Sequence, residues 1–188
     1  NGAHWRPADV EQYGHRANGP WRGQKADIYE GGHRVPLLVR WPGVVAPGST
    51  SAALVGLNDV YATLASIVGD VPDADTAEDS VSFLPVLRGS SESPRETLVH
   101  HAIDGMFAIR RGRWKLVDGL GSGGFTPPKR REPKEGEARG QLYDLAADPG
   151  ETINLSGKRP DLVKALGLLL ERVRSRGAPP AESRTAGQ

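Results

Sequence analysis

The second half of the sequence places four short apolar stretches, separated by turn residues, ahead of one long amphipathic segment. The four stretches are residues 97–101, 106–110, 113–117 and 141–145. Asp104-Gly105 is a dipeptide typical of tight hairpin turns, and residues 113–117 alternate polar and apolar side chains as in a half-buried strand. Leu and Val recur at helical spacing from Pro160 to Val173. This pattern predicts a small α+β subdomain, an antiparallel sheet with one C-terminal helix over a face.

The first half has a different character. Residues 1–34 are polar, aromatic and glycine-rich without clear periodicity, so we interpret them as a long loop. Residues 35–41 form an apolar run closed by Pro-Gly and predict a buried strand. A helix is predicted next, because Asn58 can cap its first turn and Gly69 can end it. Loop, strand and helix in this order indicate part of an α/β domain.

A Gly- and Ser-rich segment ending at Pro94 separates the two halves. We therefore predict an α/β portion at residues 1–94, the α+β subdomain at residues 95–176 and a flexible tail at residues 177–188. The first residues include no initiator Met and no signal-like segment, and they resemble the middle of a domain. We expect the chain to be truncated.

Composition excludes several classes of function. The chain contains no cysteine, so disulfides, thiolate metal sites and a cysteine nucleophile are excluded within it. Its formal net charge of +1 gives no global field that would select nucleic acid or an anionic membrane. The sequence has no apolar run approaching the roughly 20 residues that a membrane helix needs.

The strongest local signal for chemistry is the segment of residues 22–36. Lys25, His33 and two arginines lie there beside flexible glycines, directly before the predicted strand. Lysine offers three hydrogen-bond donors on a long stem, and glycines allow a ligand to approach the backbone closely. The residues alone leave two interpretations open, an anion-binding loop and a solvated charged loop.

Residues 22–43 resemble a segment of the sulfatases, in which Gly-x-Lys leads to Tyr-Glu-Gly-Gly-x-Arg-Val-Pro and then to Trp-Pro-Gly. The opening Asn1-Gly2 is similar to the end of the family's Ser-Asp-Asn-Gly motif. Further stretches resemble the family in the same order: residues 58–64, 111–116 and 142–155. The resemblance implies the C-terminal part of a sulfuric ester hydrolase, with the end of an alkaline-phosphatase-like α/β domain followed by the small subdomain.

The resemblance also implies roles for two residues. Asn1 would be a ligand of a divalent cation, usually calcium, through its side-chain oxygen, which suits a hard cation. Lys25 would hold a sulfate oxygen and stabilise the charge that grows as the S–O bond breaks. Without the family context, Asn1 is a turn residue and Lys25 an exposed surface lysine.

The remaining parts of the family's site are expected upstream of this chain. The nucleophile is a formylglycine made from Cys or Ser in a Cys/Ser-x-Pro-x-Arg motif, and residues 91–95 (Ser-Glu-Ser-Pro-Arg) have the wrong spacing for it. The aspartates of the metal site and the catalytic histidines are expected there too. A chain without a nucleophile cannot turn over by this mechanism.

His4, His15 and Arg16 lie between Asn1 and Lys25 in the sequence. They could line the pocket for the sugar or aryl part of the substrate, or they could make hydrogen bonds that pack the loop, and the sequence leaves both open. His33 and Arg34 precede the predicted strand, where we expect a structural role. His100 and His101 alternate across a strand, so joint chelation of a metal is not expected.

Two other motifs are not taken as sites. Gly119-x-Gly121-x-x-Gly124 matches a dinucleotide fingerprint, but prolines follow instead of a helix. We interpret residues 119–140 as a mobile insertion. The basic run at 129–131 is neutralised by nearby glutamates, which argues against nucleic acid as a partner.

Two alternatives to a sulfatase stay open. One is a phosphodiesterase or phosphonate hydrolase of the same superfamily, because fold kinship alone does not choose the ester. The other is a non-catalytic binding module. For the sulfatase, the resemblance implies a sulfated small-molecule or carbohydrate substrate and a periplasmic or secreted location, and it leaves the oligomeric state undefined.

Overall fold

A computed structural model describes residues 1–71 and 76–176. The helices are α1 (Pro7–Tyr13), α2 (Glu30–His33), α3 (Asp59–Val68), α4 (Leu84–Leu87) and α5 (Pro160–Arg176). The strands are β1 (Thr97–His101), β2 (Phe107–Arg111), β3 (Trp114–Val117) and β4 (Gln141–Asp144). Within this part of the chain, no helix combines the length and the hydropathy needed to cross a bilayer. The predicted tail, residues 177–188, lies outside the described residues.

The four strands form one sheet, as predicted, and their order in it is β1-β2-β3-β4. The pairs β2–β3 and β3–β4 are antiparallel, with Leu116 opposite Ile109 on one side and opposite Leu142 on the other. The predicted turn joins β1 to β2, where Gly105 adopts a positive φ of 84° and donates its N–H to the Ala102 carbonyl at 3.0 Å. Glycine suits this backbone conformation because it has no Cβ.

Helix α5 covers one face of the sheet, which confirms the second part of the prediction. Leu166 and Leu170 of α5 are buried against Ile109, Leu116 and Leu142. Full burial of one such side chain contributes roughly 1.5–3 kcal/mol, so this apolar layer is a main source of stability. The helix begins at Pro160, whose missing N–H costs nothing at the first helical position.

The opposite face of the sheet is covered by the N-terminal segment. Ile28 and Tyr29 are buried there with Val117 and Tyr143. Residues 1–34, interpreted from the sequence as a loop, contain α1 and α2 and pack with residues 99–176 in one compact unit. The sheet therefore lies between α5 and this segment. The predicted division at residues 94 and 95 stays a prediction.

The predicted strand at residues 35–41 is wrong, because this segment is neither helix nor strand in the structure. Leu38 is 88% exposed, and Leu37 and Val39 are exposed as well. Apolar and β-branched residues favour a strand only where a neighbouring strand supplies hydrogen bonds and a surface to pack on. Among the described residues, this segment pairs with no strand.

Residues 35–98 form the second compact unit. Helix α3 ends at Gly69, which has a φ of 79°, as predicted. The expected cap is wrong, because Asn58 makes no side-chain capping bond and its amide donates to the Asp79 carbonyl instead. The buried Asp59 carboxylate accepts the Gly56 N–H at 2.7 Å and pairs with Arg95. Arg95, from the Ser-Glu-Ser-Pro-Arg segment, therefore has a structural role.

Candidate functional site

Lys25 lies on a turn of residues 24–27, here called the Lys25 turn, which is held against the first residues of the chain. The Lys25 N–H donates to the Ala3 carbonyl at 3.0 Å, and the Gly2 N–H donates to the Gly32 carbonyl at 2.8 Å. These backbone bonds place Asn1 at the end of a segment that runs alongside the turn. The side chains of Asn1 and Lys25 are both exposed.

Asn18 ties the two segments together, a role that the sequence reasoning missed. Its side-chain oxygen accepts the Ala3 N–H at 3.1 Å, and its amide group donates to the Gly23 carbonyl at 2.9 Å. An asparagine amide can donate and accept at the same time, so one side chain can bridge two backbone segments. The only signal in the sequence was an Asn-Gly pair, which is common in ordinary turns.

The Lys25 turn is held by hydrogen bonds to the side chain of Asp27, which is completely buried. Its carboxylate accepts the Gln24 N–H at 2.9 Å, the Phe125 N–H at 2.7 Å and the Thr126 N–H at 3.0 Å. Ala26 adopts a φ of 79°, which is uncommon for a residue with a Cβ. The turn is thus a built structure with Lys25 at its exposed position.

Gly31 and Gly32 allow their backbone to pack directly against the backbone of residues 22–27. A Cβ on Gly31 would lie 2.4 Å from the Gly23 carbonyl oxygen, and a Cβ on Gly32 would lie 2.2 Å from the Asp27 carbonyl oxygen. Both distances are far below van der Waals contact, so no side chain fits. The conspicuous Gly-Gly pair therefore packs the turn from behind and does not itself offer an anion site.

Two arginines of the same segment also have internal contacts. The Arg22 guanidinium stacks 3.9 Å from the centroid of the Tyr29 ring and donates to the Glu151 carbonyl at 2.7 Å. The Arg34 guanidinium stacks 4.0 Å from the centroid of the Trp21 ring. Stacking of this kind orients a guanidinium. Among the described residues, no ion pair involves the Lys25 ammonium.

The segment of residues 119–126, here called the Phe125 loop, is packed against the Lys25 turn. Residues 120–124 are buried, so the interpretation of 119–140 as a mobile insertion is wrong for this part. A Cβ on Gly124 would lie 2.5 Å from the Ala26 carbonyl, and one on Gly121 would lie 2.5 Å from the Lys129 carbonyl. The glycines that imitate a dinucleotide fingerprint are therefore packing residues.

A buried ion cluster supports the site from the sheet side. Lys115 of β3 is fully buried, and its ammonium lies 3.1 Å from the Glu30 carboxylate and 2.8 Å from the Glu151 carboxylate. Glu151 also accepts the Glu30 N–H at 2.6 Å. The alternating pattern predicted a half-buried strand, which would leave Lys115 in solvent. The solvent exposure expected of Lys115 is wrong, because the N-terminal segment covers the face of the sheet on which Lys115 lies.

The two carboxylates of the cluster differ in acidity. Burial would raise the pKa of Glu30, but Lys115, Arg110 and Arg34 outweigh it and hold the pKa below its usual value. Burial raises the pKa of Glu151 above its usual value, although Lys115 opposes this. Because three cations lie near Glu30, its carboxylate keeps its negative charge to a lower pH than that of Glu151.

His33 and His100 form a half-buried pair, with ring centroids 4.2 Å apart. Burial, reinforced by the Lys115 ammonium, lowers the pKa of His33 to about 4 and that of His100 well below its usual value. Among the described residues, His33 Nε2 and His100 Nδ1 have no hydrogen-bond partner, so a proton there would be buried without an acceptor. Both rings are neutral at pH 7, in keeping with the structural role expected of His33.

This pair makes stability depend on pH. The folded-state pKa of His33 is about 4 and the unfolded-state value is about 6.5, so the contribution is complete above pH 6.5 and is lost as the pH falls toward 4. We expect a loss of about 2 kcal/mol by pH 5. Melting temperatures of full-length wild type and His33→Gln between pH 7 and 5 test this. An equal fall in both proteins would contradict it.

The structure brings together the backbone segments that carry three of the predicted site residues, Asn1, His4 and Lys25. The segments that carry Asn1 and His4 are bonded to the Lys25 turn, through Ala3 and through the Trp5 N–H, which donates to the Gln24 side chain at 3.2 Å. His15 and Arg16 are exposed after α1. The turn that follows them reaches the site through Asn18, and their side-chain roles stay predictions.

The donor set for a metal is incomplete within the described residues. Asn1 offers one neutral amide oxygen, which suits a hard cation such as calcium. In residues 1–71 and 76–176, no group of three or more His, Asp or Glu side chains is placed to hold a metal ion. The described residues therefore offer at most one ligand for such an ion, the amide oxygen of Asn1.

Two proteins with related sequences are both named as sulfatases. N-acetylgalactosamine-6-O-sulfatase of Bacteroides thetaiotaomicron is 35% identical over 163 residues, which cover 87% of this chain and 32% of that protein. Human arylsulfatase A is 33% identical over 157 residues, which cover 76% of this chain and 31% of that protein. The chain is homologous to sulfatases. No family model matches it.

A solved structure agrees with this relationship. A Bacteroides thetaiotaomicron protein described in connection with the metabolism of multiple glycosaminoglycans superimposes with a TM-score of 0.76 at 35% identity. The match covers 89% of this chain and 35% of that one. The matched part thus covers about one third of the length of each of these three proteins.

Proposed function

We propose that this chain is the C-terminal part of a sulfatase and supplies Lys25 and Asn1 to a site that hydrolyses sulfate esters. The observation that carries the proposal is the bond from the Lys25 N–H to the Ala3 carbonyl, which holds the Asn1 segment beside the Lys25 turn. Sequence similarity to sulfatases over most of the chain supports the choice of ester.

Lys25 is suited to bind the sulfate group. Its ammonium is exposed, while Arg22 and Arg34 of the same segment are stacked on aromatic rings. The backbone on either side of Lys25 is held by Asp27 and Asn18, which fixes the position from which its side chain extends toward a substrate. A fixed cation stabilises an oxyanion most when it is in place before the reaction.

Asn1 would hold a calcium ion through its amide oxygen, together with carboxylates from outside the described residues. The family's formylglycine, expected upstream, would supply the nucleophile that attacks sulfur. The residues of this chain would bind the sulfate, orient it and exclude water behind the Lys25 turn.

We propose a sulfated carbohydrate as the substrate. The support is that a relative at 35% identity is named as an N-acetylgalactosamine-6-O-sulfatase. A sulfated amino sugar is therefore the first compound to test. A periplasmic or secreted location is the matching proposal for the protein.

The test is a comparison of esters on the full-length protein. We expect hydrolysis of N-acetylgalactosamine 6-sulfate or of an aryl sulfate at a much higher kcat/KM than that of bis(4-nitrophenyl) phosphate. Preference for the phosphodiester would contradict the proposal and favour the related phosphodiesterases. Binding of the sulfated sugar without hydrolysis of either ester would favour a binding module.

The 188-residue chain expressed alone is the control. It contains no Cys/Ser-x-Pro-x-Arg motif, so we expect no sulfatase turnover from it. We also expect poor solubility, because Leu37, Leu38 and the Tyr61 side of α3 are exposed. Turnover by this chain would show that its own residues contain a nucleophile.

A further inference from the structure

Phe125 is an exposed aromatic residue on an otherwise buried segment. Its side chain is 40% exposed, whereas residues 120–124 before it are buried. Single exposed apolar side chains are common on protein surfaces, so exposure alone carries no meaning. The position of Phe125 is unusual because its backbone is held by a group that also holds the Lys25 turn.

That group is the Asp27 carboxylate. One oxygen accepts the Phe125 N–H at 2.7 Å, and the other accepts the Gln24 N–H at 2.9 Å. A completely buried side chain thus fixes both backbones at once. A carboxylate that accepts several N–H bonds is strongly localised, since charge-assisted hydrogen bonds are short and strong.

The two segments also touch directly. A Cβ on Gly124 would lie 2.5 Å from the Ala26 carbonyl, so no side chain fits between them. Lys25 immediately precedes Ala26, and Phe125 immediately follows Gly124. The cation and the aromatic ring therefore project from adjoining backbone positions.

His4 contacts the ring from the third segment of the site. The His4 and Phe125 ring centroids are 5.4 Å apart, with planes at 70°, an edge-to-face contact. His4 follows Ala3, which accepts the Lys25 N–H. An edge-to-face contact orients an aromatic ring and leaves part of it open to a ligand.

We propose that Phe125, oriented by His4, contacts the apolar face of the sugar ring of a substrate whose sulfate group binds at Lys25. A pyranose ring presents C–H groups on its faces, and these pack on an aromatic ring while the charged sulfate is held beside it. Phe125 is then a specificity residue for the organic part of the substrate. The inference rests on the proposed sulfatase function.

The experiment compares two sulfate esters on the full-length enzyme, N-acetylgalactosamine 6-sulfate and the ringless ethyl sulfate. We expect Phe125→Ala to lower the ratio of kcat/KM for the sugar to that for ethyl sulfate about three- to tenfold, mainly through KM. Phe125→Trp should keep the wild-type ratio. Phe125→Leu should lower the ratio nearly as far as Phe125→Ala does, because leucine retains apolar area without an aromatic face.

Leu168→Ala is the matched control, because Leu168 is an exposed apolar residue on α5, and its ratio should equal that of wild type. An unchanged ratio in Phe125→Ala, or an equal loss on both esters, would overturn the inference while the sulfatase assignment stands. If wild type hydrolyses neither ester, the proposed function fails. Calorimetric binding of N-acetylgalactosamine 6-sulfate to wild type and Phe125→Ala then decides the contact separately, with equal affinities counting against it.

Discussion

Lys25→Ala in the full-length protein should lower kcat for the proposed hydrolysis of sulfate esters by about a hundredfold to a thousandfold. Removal of one preorganised charge or donor from a developing anion typically costs that much. The effect should fall mainly on kcat, because the charge on the sulfate oxygens is redistributed as the S–O bond breaks. Steady-state kinetics with an aryl sulfate and with N-acetylgalactosamine 6-sulfate measure it.

Lys25→Arg should retain part of the rate, since the charge is kept while the geometry changes. Lys158→Ala removes an exposed lysine ahead of α5 and should leave kcat unchanged. The melting temperature should stay near that of wild type in all three variants, because surface substitutions usually change stability by less than about 0.5 kcal/mol. Near-normal turnover in Lys25→Ala would remove Lys25 from the site.

The second large effect is expected at Lys115. Lys115→Met preserves the bulk of the side chain but leaves the Glu30 and Glu151 carboxylates buried without their shared cation. Breaking a buried ion pair from one side typically destabilises a protein by about 3–5 kcal/mol. Urea unfolding of the full-length protein, followed by tryptophan fluorescence, measures the loss.

Glu151→Gln combined with Lys115→Met should recover part of the lost stability, because one of the stranded charges is removed. Lys158→Met is the surface control and should change unfolding by less than about 0.5 kcal/mol. If Lys115→Met were as stable as this control, the cluster would contribute nothing to holding the N-terminal segment on the sheet.

The sequence was sufficient to predict the elements whose formation depends on local pattern. Alternation and turn residues located β1 to β4, and helical spacing located α5, because each pattern matches a single backbone periodicity. The roles predicted for Lys25 and Asn1 rest on the resemblance to the sulfatases. The roles of Asn18, Asp27 and Phe125 could not be predicted, because each depends on contacts between segments distant in sequence.

Two errors have a common physical origin. The apolar run around Leu38 suggested burial, and it is exposed. The alternating pattern of residues 113–117 suggested that Lys115 is exposed, and it is buried. A sequence pattern records what a side chain prefers, whereas burial depends on which other segment covers that face. The segment that covers Lys115 lies 85 positions away, at Glu30.

The separation of the site-bearing segments has a consequence for biosynthesis. Glu30 and Glu151 are bonded across 121 positions, and the 64-residue unit between Arg34 and Val99 is folded in the interval. Contacts of such long range form late, since chain closure must come before they contribute any stability. The buried ion cluster behind the Lys25 turn cannot be completed on the ribosome until Glu151 has emerged. A premature stop near residue 145 would therefore leave Lys25, Asn1 and their backbone contacts in the chain, yet the nascent protein would lack Glu151 of the ion cluster and the helix α5 that covers the sheet.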